Sequence, residues 1–70
     1  MMDEKLIEAI RAKYQYEMKS SVAKINKILF SGEGDEGDVD YLLGVFKDAK
    51  DKGSYFEGIL KSLNPKENGE

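Results

Sequence analysis

Residues 3–31 read DEKLIEAIRAKYQYEMKSSVAKINKILFS, with no glycine or proline from end to end. Within this stretch Ile7, Ile10, Tyr14, Met18, Val22, Ile25 and Leu29 recur at steps of three and four, the period of one helix face. Asp3 stands where a carboxylate can accept an orphan amide of the first turn. Met2 and Ile7 hold the two positions of a hydrophobic staple, and Gly32 follows as a left-handed terminator. The spacing predicts one unbroken helix over about 3–31, roughly 40 Å long at 1.5 Å per residue. Ser21 lies within the stripe, where a small side chain would let another helix come close.

The rest of the chain is read against that helix. Residues 32–37 form an acidic, glycine-rich loop with no apolar side chain. A second helix is expected over 38–52, burying Val39, Leu42, Leu43, Phe46 and Ala49, with Tyr41 and Val45 widening the stripe. Gly53 then reads as a left-handed cap, and Ser54 with Glu57 matches a capping box opening a third helix over 54–63. Asn64-Pro65 would stop that helix, leaving 65–70 as a mobile C-terminal tail. The expected architecture is all-α: a single three-helix domain over 1–64, its long N-terminal helix packed antiparallel on two shorter ones. A helix that long leaves part of its stripe uncovered, and dimerisation into a helical bundle is the simplest remedy.

Composition points the same way. A chain of 70 residues supports only a marginal core. With no cysteine and no histidine it has neither disulfide staples nor a thiolate or imidazole metal site. Oligomerisation or very regular helix packing is what remains. Hydrophobic residues at 40% and charged ones at 36% suit a soluble helical protein rather than a disordered chain. The net charge of −3 hides an uneven distribution: the excess acid is concentrated in Glu33, Asp35, Glu36, Asp38 and Asp40. Apolar runs such as Ile28-Leu29-Phe30 fall far short of a membrane span. The opening Met1-Met2-Asp3-Glu4 lacks the basic and apolar regions of a secretion signal, so a cytoplasmic location and no membrane contact are expected.

The motifs that could carry chemistry mostly fail on physical grounds. Gly32-Glu33-Gly34-Asp35-Glu36-Gly37 matches the dinucleotide fingerprint letter for letter. A long helix precedes it where a strand is needed, and its carboxylates would repel a phosphate. The calcium-loop template, started at Asp35, finds Gly37, Val39, Asp40 and Phe46 at its other checkpoints and breaks down there. Asp35, Asp38 and Asp40 stay as weak cation candidates, against the simpler reading of a solvated turn in which Gly37 or Asp38 caps the second helix. No metal or other cofactor is expected. General acid–base catalysis lacks a histidine and an enclosed volume in which to shift another group, so the chain is read as non-enzymatic.

Two binding readings survive. The first is protein–protein contact, by self-assembly or as an accessory or adaptor, through the Ile7–Leu29 stripe. A second candidate surface is formed by Ala12, Tyr16, Ala23 and Phe30, with Ala9, Tyr16, Ala23 and Phe30 repeating every seventh residue. A homodimer is the favoured partner. The second reading is nucleic-acid association through Arg11, Lys13, Lys19, Lys24 and Lys27, or the converse, an acidic loop that blocks a nucleic-acid-binding partner. The net negative charge weighs against the former.

Overall fold

The computed structural model describes residues 2–63, which form two helices of equal length: α1, Glu4–Ser31, and α2, Glu36–Leu63. They fold back on each other as an antiparallel hairpin of 18 by 15 Å cross-section. No strand occurs among the described residues. Helix α1 follows its sequence. The Asp3 carboxylate accepts the Leu6 amide at 3.1 Å. Gly32, at φ 74°, closes the other end by donating its N–H to the Ile28 carbonyl at 2.8 Å.

The second half of the expected architecture needs correction. No break occurs at Gly53: residues 36–63 are one helix, not separate helices over 38–52 and 54–63. Ser54 is therefore a helix-interior residue and not a cap. Gly53 keeps an ordinary helical backbone, since positive φ among the described residues is confined to Gly32 and Gly34. It lies against Tyr14, and a Cβ there would stand 3.7 Å from that of Tyr14, an ordinary contact. Lys47–Asp51 at 2.9 Å and Lys52–Asp48 at 3.1 Å support the exposed face just before it with i,i+4 pairs. The expected stop at Asn64-Pro65 and the tail over 65–70 lie outside the described residues.

The start of α2 also moves. Asp35, not Gly37 or Asp38, is the cap: Asp35 Oδ1 accepts the Asp38 amide at 3.0 Å while Asp38 Oδ2 accepts the Asp35 amide at 3.1 Å. This reciprocal arrangement is a capping box made from two aspartates. Glu36 and Asp38 then sit in the first turn, where the helix dipole favours negative charge.

The residues that face each other follow a 3.5-residue period. On α1 they are Ile7, Arg11, Tyr14, Met18, Ser21, Ile25 and Ile28; on α2, Val39, Leu42, Phe46, Ala49, Gly53, Phe56 and Leu60. Alternating steps of four and three are the signature of a left-handed coiled-coil seam. The apolar stripe read from the sequence has a longer mean step, so it walks off this seam towards its C-terminal end. Val22 and Leu29 are consequently exposed, and Ser21 and Ile28 take their places. At mid-hairpin Ser21 is 3% exposed and Ala49 1%, so small residues let the backbones approach. The Ser21 hydroxyl donates to the Glu17 carbonyl at 2.7 Å and so carries no unmet polar demand. Only Ser21, Leu42 and Ala49 are buried among the described residues. That scarcity belongs to two-helix geometry, in which each helix can hide only one stripe.

Candidate interaction surface

Beside the seam the hairpin presents two open sides, each built from one flank of both helices. On the first side α1 contributes Glu8, Gln15, Val22 and Leu29, and α2 contributes Glu36, Leu43, Lys50 and Glu57. Two open grooves run along it. One, of about 500 Å³ at the loop end, is lined by Ile28, Leu29, Val39 and Leu43 with Glu36 and Asp40 at its edge. The other, of about 330 Å³, lies between Gln15, Met18, Lys50 and Phe56 and ends at Arg11 and Glu57.

That ion pair fixes the hairpin register at its open end. Arg11 donates from Nε to Glu57 Oε2 at 2.6 Å and from Nη2 to Oε1 at 2.9 Å, a two-pronged match of planar groups. Nη1 donates to Glu8 at 3.0 Å. The hydrogen bond from Arg11 holds the Glu57 carboxyl below its usual range. Lys47 and Lys52 are shifted up, chiefly by their hydrogen bonds to Asp51 and Asp48.

The apolar character of the first side is concentrated near the loop. Val22, Leu29 and Leu43 are 52%, 69% and 53% exposed although none belongs to the seam. Phe30 is 85% exposed next to Leu29. Single exposed aliphatic residues are ordinary on protein surfaces; a contiguous group on one side is informative. Of the stripe expected from the sequence, Ile7, Ile10, Tyr14, Met18 and Ile25 are half-buried within the hairpin, so they form its internal contact. Val22 and Leu29 face outward, as do Ala12, Tyr16, Ala23 and Phe30 of the second candidate set. Leu43, assigned to the core by its spacing, joins them.

The second side brings Lys24, Lys27, Glu33 and Asp38 to one groove, so opposite charges share it. The proposed basic strip is further dispersed: Arg11 is engaged by two glutamates, and the Lys13 ammonium lies 5.5 Å from the Tyr14 ring centroid. No continuous basic track results. In the loop, Asp35 and Asp38 are occupied in capping the helix, and among the described residues no three carboxylates are grouped as metal ligands. Nor is any helix among those residues long and apolar enough to cross a membrane. No protein-family model, no curated protein and no solved structure matches the chain.

Proposed function

We propose that this chain acts by protein–protein contact, as a small helical assembly or adaptor module, and that its working surface is the loop half of the first side. The observation that carries the reading is the exposure of Val22, Leu29 and Leu43 on one side of a hairpin whose own seam is already complete. Burying an aliphatic side chain contributes about 1.5–3 kcal/mol. Three such residues left half in water offer a partner its anchors at little cost in ordering, because regular helix holds them in place. This surface requires no cofactor and no titrating group.

The reading is tested in the cell of origin by placing a photo-crosslinking residue at position 29 or 43, with positions 44 and 58 as controls. These controls are exposed, open into empty space and lie midway between seam positions of α2. Discrete protein adducts from 29 and 43 but not from 44 and 58 are expected. No adducts at 29 and 43, or equal labelling at all four positions, would defeat it.

A further inference from the structure

Along the first side, residues run from acid to apolar to base. Nearest the loop stands Glu36, on the edge of the Leu29–Leu43 groove; Asp40, the other acid at that edge, lies about one turn further along α2. Next come Leu29, Leu43 and Val22. Towards the middle of the hairpin follow Lys50, which lines the second groove, and Lys19, one helical step round α1 from it. Among the described residues Lys19 and Lys50 have no carboxylate partner, and Glu36 and Asp40 have no cationic one.

Contacts across the seam set the relative levels of these residues. Arg11 meets Glu57 and Tyr14 meets Gly53, so Ile25 and Leu42 stand at one height. At 1.5 Å per residue the Glu36 level is about 9 Å from that height towards the loop, and Lys19 is about 9 Å from it in the opposite direction. Leu29 and Val22 lie about 5 Å to either side, and Leu43 lies almost on it. A two-fold rotation about this level therefore sets Glu36 opposite Lys19, Leu29 opposite Val22 and Leu43 opposite itself.

We infer that the occupant of this surface is a second copy of the same chain, docked antiparallel across the first side with the two-fold axis at the level of Ile25 and Leu42. This rests on the protein-contact reading above and names the partner. In that arrangement Leu29 of each copy meets Val22 of the other, and the two Leu43 side chains meet at the axis. Glu36 of each copy faces Lys19 and Lys50 of the other, which stand about 9 and 12 Å beyond the axis. An interface of this kind presents the same patch twice, with each contact repeated in reverse. The two hairpins overlap over about 20 Å of their length. Multiplied by a width of 18 Å, this is below the roughly 800 Å² per partner of a standard stable interface. The dimer is consequently weak and set by concentration, with half-association falling between about 10 µM and 1 mM.

Sedimentation equilibrium of the purified chain over that range is the test. At low salt the mean mass should rise from 7.9 kDa towards twice that value, and added salt should lower it as the ion pairs are screened. Leu43→Glu should stay at monomer mass with unchanged helical circular dichroism. Lys19→Glu/Lys50→Glu and Glu36→Lys/Asp40→Lys should each be monomeric alone, and an equal mixture should recover the dimer, since one copy is then wholly acidic and the other wholly basic along the patch. Because the chain has no cysteine, Leu43→Cys supplies a single thiol without altering charge. It should form a disulfide-linked dimer under mild oxidation, whereas Ile59→Cys on the second side should not. A wild-type chain at 7.9 kDa throughout, a dimer untouched by Leu43→Glu, cross-linking at 59 in place of 43, or a mixture that fails to re-associate would each overturn the inference. Adducts to a different protein from position 29 in cells, with a purified chain that remains monomeric, would remove the second copy while leaving the protein-contact reading in place.

Discussion

Replacing Gly53 by alanine separates two structures of α2 by the sign of one number. In the continuous helix, Gly53 is an interior residue with negative φ. Alanine is then favoured over glycine by about 0.8–1.0 kcal/mol through backbone entropy alone. The new methyl would stand 3.7 Å from Tyr14 Cβ, an ordinary contact, so no clash subtracts from that gain. In a chain of this size each kcal/mol moves the melting temperature by about 4–8 °C, and Gly53→Ala should raise it by about that amount. Were Gly53 a left-handed helix terminator, the same methyl would cost roughly 1–2 kcal/mol and the midpoint would fall. The assay is a calorimetric or circular-dichroism melt at one fixed low protein concentration, because association would otherwise shift the midpoint. Gly44→Ala and Gly58→Ala, which open into empty space, should rise by the propensity difference alone. Gly32→Ala, at φ 74°, should fall. A lowered midpoint for Gly53→Ala, with Gly44→Ala and Gly58→Ala raised, would refute the continuous α2.

Further outcomes follow from the seam and its ends. Ala49→Leu inserts bulk where the helices are closest and should cost about 1–3 kcal/mol in a urea titration, while Ser21→Ala, whose hydroxyl serves only its own helix, should change little. Asp3→Ala removes the amide acceptor of α1 and should cost about 1 kcal/mol, read as earlier fraying of residues 4–7 by hydrogen exchange. The Arg11–Glu57 pair has a defined pH window. Because the folded carboxyl sits below the ordinary glutamate value of 4.5, its contribution is present above that pH and lost as pH falls through the lowered value. Wild type should therefore melt above Glu57→Gln at pH 7, and the two curves should converge in acid; a constant gap down to pH 2 would show that the pair is not what separates them.

Much of α1 was legible because its signals are local. Asp3 and Gly32 cap through their own backbone neighbours, and a glycine-free run with three-and-four spacing needs no partner to declare itself a helix. The same locality misread α2. Gly53-Ser54 with Glu57 carries every mark of a helix junction, yet Gly53 packs on Tyr14 and Glu57 is taken by Arg11, a residue far away in sequence. The full seam escaped for a related reason: Ser21 was legible as a point of close approach, but Arg11 also faces inward, and hydrophobic periodicity passes over such polar residues. A strict seven-residue spacing through Ser21 and Ile28 was the available signal.

What the sequence settled by itself is therefore helical content, the extent of α1 and the position of the turn, since capping and propensity act within a few residues. Which side of each helix is covered was decided by the fold alone. Two helices twisting about each other must keep contact every 3.5 residues, and that requirement turned Val22, Leu29 and Leu43 away from the seam and towards solvent.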